Sequence, residues 1–299
     1  MARDRPLRLS AIRHVRFAAP PGPPGQPDPA DAPDLSVQAE YFAERLAGYG
    51  TPAVAERLLP GNRTGYARMA RRLLDALPAP PGLVLLAHAL PDCDMSVSVG
   101  GAIAHALAGE PMVFAVSEQG RATPFTALAL AEAHAPDGPP ATAVLVLDQG
   151  TLFYGDPVLA GLDTATDHAV ALLFEDGGPV GFGPAVQHTG VEPERAAALV
   201  AGAVRELGPG PVTVTAGPAL PPLPSLPAQV AAVRRAPADR LCTSVWSDLA
   251  GQLAEPASAG RTILLAEYDP DLRYLSLASC DVPAGWSGRW SPPKEERPA

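Results

Sequence analysis

Met112–His134, MVFAVSEQGRATPFTALALAEAH, reads as a short apolar strand over Met112–Val116, a polar turn, and a helix over Pro124–His134. Working outward, Gly82–Ala89 (GLVLLAHA) is apolar almost throughout, the mark of a strand buried on both faces of a helix-covered parallel sheet. A helix over Ser96–Ala108 separates these two segments, and strands follow at Thr142–Leu147 and His168–Phe174. Upstream, Leu7–Phe17 reads as a first strand and the proline-rich Ala18–Pro33 as a loop short of backbone donors. Val37–Tyr49 and Gly65–Leu77 have the spacing of amphipathic helices. Downstream come a helix over Glu192–Leu207, a strand over Val212–Thr215 and a helix over Ser244–Leu253. Two further strands, Thr262–Tyr268 and Tyr274–Ser279, are joined by Asp269-Pro270-Asp271 into an antiparallel hairpin. Strands alternating with helices predict an α/β protein with a mainly parallel sheet.

The 299 residues include 22 Lys+Arg against 32 Asp+Glu, a net charge of −10, and 47% are hydrophobic, enough for a substantial core. An acidic chain without a basic cluster is a poor ligand for nucleic acid or an anionic membrane, so neither partner is expected. The longest apolar runs fall far short of the ~18 residues of a spanning helix. Met1–Arg16 is rich in Arg and lacks an apolar core of a secretory signal, which leads us to expect a cytoplasmic protein. Cys93, Cys242 and Cys280 are odd in number and lack any Cys-x-x-Cys pair, which suits reduced thiols and no zinc. The Asp-x-Asp pairs at 92/94 and 269/271 fit turn chemistry better than calcium, so no metal is expected.

Read in order, these segments resemble the thiolase superfamily, and within it the type III ketoacyl synthases. LVLLAHALPDCDMSVSVGGAIAHALAG resembles the strand, loop and helix ahead of that family's nucleophile, and MVFAVSEQGRATPFTALALAEAH the strand, elbow and helix that carry it. ATAVLVLDQG and DHAVALLFEDG resemble the next two strands; PVTVTAGPAL, LCTSVWSDLAGQL and TILLAEYDPDLRYLSLASC resemble the second half's histidine strand, asparagine helix and closing hairpin. The resemblance implies a five-layered αβαβα sandwich of two similar halves, residues 1–178 and a shortened 179–283, with 284–299 a flexible tail. It also implies pairing of subunits through the strand before the elbow.

Condensing enzymes hold a thiolate at a helix N-terminus and stabilise oxyanions with His and Asn donors. By the resemblance, the cysteine position falls on Gly120 or Arg121, the histidine region on Thr213–Gly217, and the asparagine on Cys242. No histidine follows His188, and Asn62 is the chain's sole asparagine. Replacement candidates are Ser117 as nucleophile, Glu118 as acid or base, Arg121, His88 and Cys242; the plainer readings are a turn serine, a solvated or Arg121-paired glutamate, a packed histidine and a packed thiol. His105 and His168 read as structural, and Arg234, Arg235 and Arg240 as a small basic group able to meet a phosphopantetheine phosphate but by default solvated. No P-loop or Gly-x-Ser-x-Gly is present.

The expectation is therefore a degenerate ketosynthase-like subunit, similar to chain-length factors, that partners an active condensing enzyme in polyketide or fatty-acyl secondary metabolism. A hetero-oligomer with a ketosynthase is expected, with a homodimer as the other arrangement and an acyl carrier protein as a further partner. No cofactor is expected beyond acyl-phosphopantetheine or CoA as substrate. Met112, Phe114, Val116 and Phe125 would lie near the partner interface and tunnel. The alternatives are a stand-alone acyltransferase built on Ser117, Glu118 and Arg121, and a module that merely binds a carrier protein.

Overall fold

The computed structural model describes residues 7–18, parts of 40–48, 64–94, 97–135, 141–150, 152, 158, 161–162, 166–255, 260–287 and 294–296. The loop expected over 18–33 lies outside these residues except for Ala18; of the helix expected over 37–49, residues 40, 41, 43–45 and 47 are described and helical.

The elements run β1 (Leu7–Ala18), α1 (Tyr66–Asp75), β2 (Leu83–Ala87), α2 (Val99–Ala106), β3 (Met112–Val116), a 3-10 turn (Gly120–Ala122), α3 (Thr123–His134), β4 (Ala141–Asp148) and β5 (Thr166–Glu175). Then come β6 (Val180–Phe182), β7 (Val186–His188), α4 (Pro193–Glu206), β8 (Val212–Ala216), β9 (Val230–Arg235), α5 (Ser244–Ala254), β10 (Arg261–Asp269), β11 (Tyr274–Val282) and β12 (Lys294–Glu296). The strands join in the order β3-β2-β4-β5-β1-β6-β11-β10-β8-β9, with β7 on β11 and β12 on β1. In the first run β3, β2 and β4 are parallel, while β5 is antiparallel to both β4 and β1. The second run repeats this pattern: β9, β8 and β10 are parallel, and β11 is antiparallel to β10 and to β6 and β7. The sheet is thus mixed, each run carrying one reversed strand.

Period-two alternation explains the layers. Val84 and Leu86 of β2 face outward, where Met69, Ala70 and Leu73 of α1 and Ile103 of α2 cover them. Leu83 and Leu85 face inward, against Phe125 and Leu128 of α3 and Trp246 and Leu249 of α5. On the far side Leu264, Ala266 and Tyr268 of β10 meet Val200 and Val204 of α4. These three apolar contacts order the molecule as helix, sheet, helix, sheet, helix, with α3 and α5 as the shared middle layer.

Where the first run has α2 between its second and third strands, the second run has no helix. The β8–β9 connection, Gly217–Gln229, holds five prolines, which remove the donors a helix needs. Leu220, Leu223 and Leu226, three residues apart, turn onto the outer core in the helix's place, while Pro222 and Pro224 are exposed. Strands β6, β7 and β9 were not anticipated: the first two are three residues long, and β9 is mostly exposed at the sheet edge and so lacks an apolar signature. Within the expected tail, Lys294–Glu296 pair in parallel with Val15–Phe17.

Candidate functional site

Strand parity brings acids to the inner layer. Val144 and Val146 of β4 face inward, so Asp148, the strand's last residue, does too; Ile263 and Leu265 of β10 likewise set the facing of Glu267 and Asp269. All three lie at C-terminal strand ends, opposite the N-termini of the inner helices. Those termini present unpaired N–H groups and partial positive charge, which favour carboxylates.

The capping is reciprocal between the two runs. Asp148 accepts hydrogen bonds from the backbone N–H of Leu241 (3.1 Å), Cys242 (2.8 Å) and Thr243 (2.6 Å) and from Thr243 Oγ1 (2.7 Å), fixing the turn into α5. Asp269 Oδ2 accepts from Arg121 N (2.9 Å) in the turn into α3, while its Oδ1 takes Asp271 N and Leu272 N in its own hairpin. Gly120, at φ +51°, leaves the room for this: a Cβ there would land on Asp269 Oδ2. Gly217 does the same for Glu267, whose carboxyl lies where a Cβ would stand.

Arg121 Nη1 donates to Arg240 O (3.1 Å) and Leu241 O (3.3 Å) and lies 4.0 Å from Glu267 Oε1. Cys242 Sγ donates to Gly120 O at 3.4 Å. The positions that the resemblance assigns to cysteine, histidine and asparagine therefore meet at one place, where a guanidinium, a thiol and three carboxyl groups stand. Burial, and next the Asp148 charge, push the Cys242 thiol far up, so it is a poor nucleophile. Burial raises Asp148 as well, against the N–H donors that favour its anion. Glu267 is pushed up to about 8, first by burial, with Asp269 and Asp148 adding to the shift and Arg121 opposing it.

The other candidates are scattered around this centre. Ser117 is half-buried, and among the described residues no hydrogen bond joins it to a histidine or carboxylate. Glu118 is exposed, in a left-handed conformation (φ 61°), and Arg121 faces Glu267 instead of it. His88 Nδ1 bonds Leu90 O (2.8 Å), its ring lies against Tyr66, and burial lowers its pKa. The basic group is committed internally: Arg234 pairs with Asp248 at 3.0 Å, Arg235 donates to Gly217 O and Leu220 O, and Arg240 donates to Ser247 Oγ. Val116 and Phe125 are core residues, Phe125 against Trp246, whereas Met112 and Phe114 are 44% and 46% exposed.

Asp148 and Glu267 were missed from the sequence, and Asp269 was read as a turn residue alone. The available signal was an acid ending an otherwise apolar strand, in ATAVLVLD and RTILLAEYD. Also unforeseen is a buried pair on the inner face, His14 Nε2 to His168 Nδ1 at 3.2 Å. Asp92 accepts from Asp94 N in the expected turn manner and also from Tyr66 N at the start of α1. No group of three or more His, Cys, Asp or Glu side chains suited to a metal occurs among the described residues, nor does a helix long and apolar enough to cross a membrane.

The strand order, the reversed strand of each run and the shared helix layer define a thiolase-like fold. No family model and no curated protein sequence matches the chain. Solved structures do. The acyltransferase ChlB3 is 17% identical with a TM-score of 0.54, over 94% of this chain and 99% of that one. The tetronic acid condensing enzyme AbyA1 is 17% identical with a TM-score of 0.58, over 92% and 99%. The 3-oxoacyl-(acyl carrier protein) synthase III of Pseudomonas aeruginosa PAO1 is 13% identical with a TM-score of 0.51, over 98% and 100%.

Proposed function

We propose that this chain is a non-catalytic, ketosynthase-like subunit that joins an active condensing enzyme of polyketide or fatty-acyl metabolism and shapes or stabilises its acyl pocket. The observation that carries this reading is Asp269. A helix N-terminus that stabilises a catalytic thiolate offers its N–H groups to that anion; here Arg121 N is given to a carboxylate of the chain itself, seated over Gly120. A thioester arriving there would meet no nucleophile and a filled space. The fold survives such a loss because it depends on apolar burial and not on the reacting groups.

The partner would bind along β3, an edge strand in which Met112 and Phe114 are exposed. The repeated strand order supports a division into two halves, 1–178 and 179–283, and an acyl carrier protein or CoA thioester would be handled by the pair and not by this chain.

The test is co-expression with a ketosynthase encoded beside it. A stable complex that Phe114→Arg dissolves, with the folded state retained, supports the proposal; a monodisperse protein indifferent to that ketosynthase overturns it. Intact-mass analysis after exposure to malonyl-CoA and longer acyl-CoA thioesters should give no covalent adduct. An acyl adduct would instead establish the acyltransferase reading, in which Ser117, Glu118 or Arg121 acts.

A further inference from the structure

Both side-chain oxygens of Glu267 are buried without a well-formed hydrogen bond, its own strand's Tyr268 N–H giving only a weak contact, an arrangement that an ionised carboxylate tolerates poorly. Its nearest cation, Arg121, is 4.0 Å away and engaged elsewhere, on Arg240 O and Leu241 O. A guanidinium prefers a carboxylate to two neutral carbonyls, because charge-assisted bonds are roughly twice as strong. Its choice of the carbonyls is what a protonated Glu267 would produce. The turn it holds also hangs on Asp148 through the amides of Leu241, Cys242 and Thr243, and leads into α5.

We propose that Arg121 is a two-position latch governed by the proton on Glu267. With Glu267 protonated, the guanidinium holds the 240–241 carbonyls; with Glu267 ionised, it swings onto the carboxylate, releases them and loosens the turn that carries Cys242. The titratable and charged groups facing Glu267 are Arg121 from the turn before α3, Asp148 from the end of β4, Asp269 from β10 itself and the Cys242 thiol from the turn into α5, which burial keeps protonated. Burial and the two aspartates favour the proton, while Arg121 and the Tyr268 N–H oppose it, so the two states exchange near pH 8. The latch is independent of any partner, because every group in it belongs to this chain.

Hydrogen exchange in the full-length protein tests this, read on a peptide spanning residues 240–246 at about pH 7 and about pH 9 after correction for base-catalysed intrinsic rates. The wild type should lose about tenfold or more of its protection across that interval, Glu267→Gln should keep it, and Arg121→Met should be poorly protected at both values. Constant protection in the wild type, or a loss in Glu267→Gln equal to the wild type's, overturns the latch. Should Glu267→Gln fail to fold, a carbon-13 titration of the wild-type glutamate carboxyls decides. The carboxyl that titrates near pH 8 must move together with the 241–243 amides, and separate midpoints refute the coupling.

Discussion

Gly120 and Gly217 matter for what stands opposite them. Gly217 has no need of a left-handed backbone, so Gly217→Ala isolates the collision with Glu267 and should destabilise by ~1–3 kcal/mol in denaturant unfolding. Glu267→Ala removes the obstacle, so the double variant should be more stable than the two single losses predict, by ~1–3 kcal/mol; strict additivity would contradict the packing described. Titration gives a second prediction. Glu267, raised from 4.5 to about 8, contributes stability that is complete below pH 4.5 and is lost as pH climbs through 8. His14 and His168 go the other way: held down from 6.5 to about 3 and about 2 by burial and then by the Arg240 charge, they favour the fold above 6.5 and lose that contribution as pH falls. Melting temperature against pH should therefore fall on both sides, with Glu267→Gln flattening the alkaline limb and leaving the acid limb in place. The sequence marks the acids only as the ends of apolar strands, and an acid there looks like the start of a loop until a facing helix terminus is known; His168 reads as structural, but its partner His14 is far away in the chain.

At the scale of elements, Asp148 shows how one strand sets another segment's start. Asp148→Asn removes the charge from four hydrogen bonds into the α5 turn and should cost about 3 kcal/mol, while Asp271→Asn, exposed in the β10–β11 turn, should stay within ~0.5 kcal/mol. Buried strands and amphipathic helices were legible within a residue or three: β3 and α3 are the opening stretch almost as written, and the β10–β11 hairpin turns at its predicted Asp-Pro-Asp. The missing outer helix was written in the prolines of 217–229, but its replacement was not, since a leucine every third residue follows neither the helical nor the strand period.

On the scale of the whole molecule, the inner core draws residues from both runs: Leu85 and Val170 from the first, Ile263 and Cys280 from the second, with Phe125 and Trp246 in contact between α3 and α5. Neither run can lose its packing alone, so calorimetry should record a single cooperative transition despite the repeated topology; two resolved transitions would show independent units. The two ends of the sheet differ. β9 carries Arg234 and Arg235 along its open edge, whereas β3, MVFAV, carries no charge at all. Unshielded backbone of that composition is a template for indiscriminate strand addition. The polypeptide made alone should then be an aggregation-prone product, and a charge placed in the strand, as in Phe114→Arg, should raise its soluble yield.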